Sequence, residues 1–319
     1  MNRILAALAA ALALAAPAQA QQWPSKPVRV VVNVAPGGVA DITARVVSAR
    51  LTETLGQTFL VENRPGGDGY IGFDAVRSAD PDGHTLVYAP GSTVMIAPHL
   101  VKRADLDPLK VLAPIAPTGR VSLYVITHPK VPATNYPEFL AYLKANPGKL
   151  NYGTPGNGTS PHIATEVFLR EAGVKMIHVP YKGAGPALKD LLGGVIEVMF
   201  DPGPGIAQAK SGAVRMIAIA GARRHADFPG VPTLEEHGIR GVDGGPHFGF
   251  YGPAAMPREA IERLNREVAR VMQEGAVLER FRALAVDLAD AMTPEQFSAY
   301  VRAQHAHYAK LIPTLGIKQ

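Results

Sequence analysis

From Val28 to Ala35 the chain is an apolar run interrupted only by Arg29 and Asn33, and it breaks at Pro36-Gly37-Gly38 before an amphipathic pattern resumes at Asp41. This predicts a strand, a tight glycine turn and a helix N-terminus. Thr58–Asn63 reads as a second strand closed by Arg64-Pro65-Gly66-Gly67, Tyr70–Ala79 as a short helix, and His84–Ala89 as a third strand that runs into Pro90-Gly91-Ser92-Thr93. Strands alternating with helices at this spacing imply right-handed crossovers and a parallel sheet, whose carboxyl edge gathers both polar loops.

A second α/β series follows the Pro-rich stretch Ala113–Pro117. It comprises strands at Ser122–His128, Leu150–Gly153, Lys175–Val179, Ile196–Asp201 and Val214–Ala220, with helices at Pro137–Asn146, Pro161–Ala172 and Pro186–Leu192. A Gly/Pro/Asp cluster at 241–246 precedes a strand at Phe248–Tyr251. Helical segments at Pro257–Glu274, Val277–Leu284 and Pro294–Leu311 then close the chain. The simplest layout is an α/β protein of two domains, 21–121 plus 247–319 and 122–246, joined by two crossings that act as a hinge, with the ligand site in the cleft between them.

Composition adds a destination. Residues 1–20 carry Arg3, an Ala/Leu core from Ile4 to Ala16 and the small-residue site Ala18-Gln19-Ala20, the pattern of a secretory signal peptide cleaved before Gln21. Pro17 interrupts an apolar stretch that is already too short for a span of about 20 residues. There is no cysteine, which excludes disulfides, thiol chemistry and a lipidated N-terminal cysteine, so the expected product is free in the periplasm. Removal of Arg3 leaves 31 basic against 27 acidic side chains, from the 32 and 27 of the whole chain. An excess this small, without a clustered basic stripe, suits small anions and argues against nucleic acid.

The chemistry of the loops points the same way. A glycine turn opening a helix leaves backbone N–H groups unpaired at the positive end of a dipole, where an anion can be held without a cationic side chain. Gly37, Gly38, Val39 and Ala40 would supply those contacts, with Asp41 bracing its own helix. Thr154-Pro155-Gly156-Asn157-Gly158-Thr159-Ser160-Pro161-His162 is the second such loop, with Ser160 read as N-cap and Pro161 as first helical residue. The run Gly67-Asp68-Gly69-Tyr70-Ile71-Gly72 has dinucleotide-fingerprint spacing, but no ribose-binding acid ends the next strand. The ten histidines show no metal spacing, His162, His178 and His247 standing isolated. No Gly-x-Ser-x-Gly elbow or phosphate-binding Gly-Lys-Ser/Thr loop occurs. Enzyme readings, cofactors and metals therefore drop out of the expectation.

Several runs in order, Trp23-Pro24-Ser25-Lys26-Pro27-Val28, Ala35-Pro36-Gly37-Gly38 with Asp41, Val61-Glu62-Asn63-Arg64-Pro65-Gly66, Pro81-Asp82-Gly83-His84-Thr85-Leu86, Gly156-Asn157-Gly158 with His162, and His178-Val179-Pro180-Tyr181-Lys182-Gly183, closely resemble the Bug/TctC family, the extracytoplasmic solute receptors of tripartite tricarboxylate transporters. The resemblance covers essentially all of the mature chain. It implies a monomeric, type II-like periplasmic-binding-protein fold whose lobes close on a small organic carboxylate and deliver it to membrane permease subunits; a receptor feeding a two-component sensor kinase is the alternative. By position it implies first-lobe contacts from Pro36, Gly37, Gly38, Val39, Ala40, Asp41, Gly91, Ser92 and Thr93. Second-lobe contacts would come from Asn157, Gly158, Thr159, Ser160, His162, Tyr181, Gly183, Ala184 and Asp201. Relatives often carry Gly and Ser or Thr where this chain has Val39-Ala40, Asp-Asn where it has Asp201-Pro202, and Trp near His247-Phe248. A first-lobe wall poorer in hydroxyls favours a carboxylate with an apolar body over citrate.

Overall fold

A computed structural model describes residues 23–101, 107–221, 223–242, 245 and 247–317. The expected signal segment, the expected start at Gln21 and part of the 241–246 cluster lie outside them. The first lobe opens with β1 (Val28–Val32), α1 (Val39–Leu55), β2 (Phe59–Asn63), α2 (Tyr70–Arg77), β3 (Thr85–Ala89), α3 (Gly91–Met95), α4 (Pro108–Val111) and β4 (Leu112–Val121). The second lobe follows as β5 (Leu123–Thr127), α5 (Tyr136–Ala145), β6 (Asn151–Thr154), α6 (Ser160–Ala172), β7 (Ile177–Pro180), α7 (Ala184–Leu192), β8 (Val198–Asp201), α8 (Ile206–Lys210) and β9 (Arg215–Ala220). The chain then returns through β10 (Phe248–Pro253), α9 (Arg258–Val271), α10 (Gly275–Ala283), β11 (Val286–Leu288) and α11 (Pro294–Leu311).

Two sheets result, one of six strands in the order β11-β4-β10-β3-β1-β2 and one of five in the order β7-β6-β8-β5-β9. The parallel sheet expected from the sequence holds for β2-β1-β3 and for β7-β6-β8. Both sheets are mixed, however, because β10 runs antiparallel to β3 and β4, and β5 antiparallel to β8 and β9. These are the strands next to the two passages between sheets, so the reversal follows from the chain leaving one lobe and re-entering it.

β4 was hidden by its prolines, which argue against a strand with neighbours on both sides. The structure accommodates Pro114 and Pro117 with register shifts against β10, and β11 borders β4 only at Gly119–Val121, so the proline-bearing part has one uncovered edge. Val30, Val32, Leu86 and Tyr88 are fully buried in the first lobe and Val125, Val198 and Phe200 in the second, which explains the near-continuous apolar runs of the central strands. Both sets of βα loops at the carboxyl ends of the parallel strands are thereby fixed on rigid supports.

Candidate functional site

The first-lobe loop is shaped by a single carboxylate. Asp41, 4 % exposed, sits in the first turn of α1 rather than at its start; Gly38 is the N-cap and offers no side chain. Asp41 Oδ2 accepts from Gly37 N at 2.9 Å, and Oδ1 accepts from Arg45 Nε at 3.0 Å and Asn63 Nδ2 at 2.9 Å. Asn63 also donates to Val34 O at 3.1 Å, tying the end of β2 to the loop that leaves β1. Burial raises the Asp41 pKa, but the bonds from Gly37, Arg45 and Asn63 outweigh it and leave the group below its ordinary value. Gly37, at φ +82°, stands in open space at the exposed apex beside Pro36. Only glycine takes that backbone without strain. The N–H groups of Gly38, Val39 and Ala40 make no hydrogen bond among the described residues, as anion capture requires. The Ala40 methyl is packed into the core, so this residue offers the site its backbone alone.

Pro90-Gly91-Ser92-Thr93, read as a loop, instead begins the short helix α3 with Pro90 as N-cap. Thr93 Oγ1 donates to Pro90 O at 2.8 Å and accepts from Asn33 Nδ2 at 3.0 Å, whereas the buried Ser92 hydroxyl has no partner among the described residues. Asn33 escaped the sequence reading. Its signal was a lone amide inside an apolar strand run; in the fold it also donates to Gly69 O at 3.4 Å, and its buried Oδ1 has no partner among the described residues. A Cβ at Gly69 or Gly72 would stand 2.6 Å from Asn33 atoms, so the fingerprint-like glycines answer to close packing beneath this loop.

In the second lobe, Thr159 is the N-cap of α6, correcting the assignment to Ser160 by one residue, and Ser160 and Pro161 occupy the first two helical positions. Thr159 makes no side-chain cap because its hydroxyl donates to Gly156 O at 2.8 Å. The Ser160 hydroxyl lies against Gly245 of the returning segment, where a Cβ would come within 2.3 Å of it. Asn157 is exposed and its side chain makes no described hydrogen bond.

His162 and His178, read as isolated, are stacked with ring centroids 4.1 Å apart and planes 11° from parallel, and His178 stacks in turn on Tyr152 at 4.9 Å. β6 and β7 are parallel neighbours that place Tyr152 beside His178, a proximity no sequence spacing reveals. His162 Nδ1 accepts from Gly158 N at 3.1 Å, which puts the neutral ring's proton on Nε2. His178 Nε2 shares a 2.7 Å bond with Thr154 Oγ1. Burial lowers the pKa of both rings, to about 3 for His162, where His178 adds repulsion, and to about 4 for His178. Neutral imidazoles thus brace the loop from beneath.

Tyr181 turns to the helix that follows it, α7, donating to Asp190 Oδ2 at 2.8 Å, while Lys182 is exposed. Gly183 N is committed to Pro155 O at 2.9 Å, which leaves the Ala184 N–H at the start of α7 as the donor of that pair without a described partner. Asp201 is fully buried, with Oδ2 accepting from Gly203 N at 2.9 Å and Gly205 N at 2.8 Å and Oδ1 unpartnered among the described residues. Burial pushes its pKa up to about 6 despite those two bonds.

Asp201→Asn is therefore expected to stabilise the fold at pH 7. The shift from 3.8 to about 6 is a penalty of about 3 kcal/mol on the charged form, from which about 1–2 kcal/mol is lost to an amide N–H₂ without an acceptor. Because the folded pKa is raised, the wild-type penalty is present above pH 6 and absent below about 4, so the gain should vanish by pH 4. Urea unfolding at the two pH values checks this; an equal gain at both would refute it.

A separate cavity of about 530 Å³ lies between β4, α9 and α11 and contains none of these loops; Arg258 on its rim is paired with Glu262 and Glu295. Among the described residues no group of three or more metal-ligating side chains converges.

Residues 43–317 match the family described as tripartite tricarboxylate transporter family receptor, TctC. Protein BugT of Bordetella pertussis is 32 % identical over 323 aligned residues, spanning 100 % of this chain and 99 % of BugT. Among solved structures, Rpa4515 of R. palustris with adipate is 29 % identical with a TM-score of 0.85, covering 92 % of this chain and 99 % of its own. MatC of Rhodopseudomonas palustris with bound malate is 28 % identical with a TM-score of 0.81, covering 91 % and 100 %. The chain belongs to the TctC family of periplasmic solute-binding receptors.

Proposed function

We propose that this protein captures a small organic carboxylate between its lobes and presents it to the permease subunits of a tripartite tricarboxylate-type transporter. The observation that carries the reading is the pair of uncapped helix N-termini, α1 and α6, at the carboxyl ends of their sheets. Each supplies backbone donors and a positive dipole end to an anion. Pro36 to Asp41 with Gly91, Ser92 and Thr93 form the first-lobe side of the proposed site, and Asn157 to His162, Tyr181, Gly183, Ala184 and Asp201 the second. Several of these act by shaping loops: the side chains of Asp41, His162, Tyr181 and Asp201 hold backbone or helix, while the N–H groups of Gly38 to Ala40, Ser160, His162 and Ala184, the Ser92 hydroxyl and the Asn157 amide remain to meet a ligand. Two relatives solved with adipate and malate support a carboxylate as the ligand class. The half-buried Val39 side chain favours a methylene body over a hydroxylated one.

A carboxylate present at about 100 times its dissociation constant should stabilise the fold by about 2.7 kcal/mol, and its amide far less, because the amide lacks the charge the dipoles favour. Thermal melts with adipate, malate, citrate and the corresponding amides test this. Adipate is expected ahead of citrate; equal stabilisation by acid and amide refutes capture by helix ends. Mass spectrometry of the exported protein should find an N-terminus at Gln21 or within a residue or two of it.

A further inference from the structure

Two apolar side chains of the first lobe reach across to glycines of the second. Leu100 follows α3 in a tight turn, its N–H bonded to Ala97 O at 3.0 Å, and its Cδ1 occupies the space a side chain at Gly158 would need, 2.8 Å from where a Cβ would stand. Gly158 is itself held by the His162 imidazole at 3.1 Å, so the surface that receives Leu100 is rigid. A Cβ on Gly203 would stand 4.0 Å from Val39 Cγ2 and 3.3 Å from Leu284 O, so Val39 faces this glycine across the lobes more loosely than Leu100 faces Gly158, and Gly203 is fixed by Asp201. Both Leu100 and Val39 are only half-buried and pack against the edge of the first-lobe core, so they are apolar surface that separation of the lobes would return to water.

We propose that Leu100 on Gly158 and Val39 on Gly203 form an apolar clasp that sets the balance between open and closed lobes. The proposal rests on the reading of the cleft as a carboxylate site. It supplies what that reading lacks, a source of closure energy independent of the ligand. Two positive helix ends approaching one another disfavour closure of the empty cleft, and an anion between them removes that opposition. Burial of Leu100 and Val39 acts in the other direction whether or not the anion is present. Val39 then has a dual part, as wall and as contact.

The absence of cysteine makes the test direct. Ser78→Cys and Lys189→Cys, exposed positions on different lobes, provide two spin-label sites whose separation reports closure. In the unliganded protein a closed population should be resolved. Leu100→Ala should lower the closed-to-open ratio about tenfold, the effect of returning part of a leucine to water. Leu100→Met, similar in volume, should restore most of it, and Val39→Ala should act in the same direction should Leu100→Ala fail to fold. A wholly open unliganded protein, or distance distributions unchanged in Leu100→Ala and Val39→Ala, would overturn the clasp. Adding adipate or malate separates the two ideas: if neither moves the distribution of any variant, carboxylate capture fails while the unliganded comparison still decides the clasp.

Discussion

Lowering the pH from 6.5 to 4.5 is expected to remove about 2–4 kcal/mol of stability, and with it the shape of the second-lobe loop. His162 and His178 have folded pKa values below the unfolded value of 6.5, at about 3 and about 4. The unfolded chain therefore takes up protons that the folded one refuses, and each such proton costs about 1.4 kcal/mol per pH unit in that window. The contribution is fully present above pH 6.5 and is lost as the pH falls. Geometry explains why: a protonated His162 Nδ1 donates rather than accepts, so Gly158 N loses its partner, and a second charge would face it 4.1 Å away across the stack. Glu166 stands 4.0 Å from His162 Nε2 but already accepts from the Tyr152 hydroxyl. Asp201 works in the opposite direction, though with one group against two. His162→Asn, whose amide oxygen can still accept from Gly158, should flatten the pH dependence of the urea midpoint. A wild-type midpoint constant from 6.5 to 4.5 would show that the rings titrate normally.

The parts of this architecture that were legible are those with a local cause. β1, α1 and the glycine turn between them follow from an apolar run, a breaker pair and an amphipathic restart, and Pro294–Leu311 was readable to the residue because Thr293 and Gln296 make a capping box around it. What could not be read depends on partners distant in sequence. β4 is a strand because β10, more than 100 residues later, pairs with it. The Tyr152-His178-His162 column exists because β6 and β7 are adjacent in space, and Asn33 gains its role from Gly69 and Thr93. Glycine spacing points to the proposed site loops, whereas which donors are consumed, as Gly183 N is by Pro155 O, is a tertiary fact.

Asp41→Ala is expected to cost about 2–4 kcal/mol and to abolish carboxylate binding even under conditions where the variant remains folded. Three donors converge on this buried carboxylate, and hydrogen bonds to a charged group contribute about 1.5–3 kcal/mol each when well shielded. The Arg45 partner is half-exposed and adds little, so most of the loss comes from Gly37 N and Asn63 Nδ2. Without the carboxylate nothing holds Gly37 at φ +82°, and the N–H groups of Gly38, Val39 and Ala40 lose their common direction. Asp41→Asn keeps one acceptor but turns its N–H₂ towards either Gly37 N or the Arg45 and Asn63 donors, and should fall between wild type and alanine. The sign of the pH effect is fixed by the lowered folded pKa: stability from Asp41 is present above the ordinary carboxylate value near 3.8 and is lost only as the pH falls through the lower folded value. The difference between wild type and Asp41→Ala should thus persist from pH 7 to pH 4, across the range in which much of the histidine contribution is lost. Urea unfolding at both pH values, with calorimetry of adipate and malate at pH 7, separates the structural from the binding role. An Asp41→Ala protein that still bound either acid as wild type does would show that the loop keeps its shape without the carboxylate.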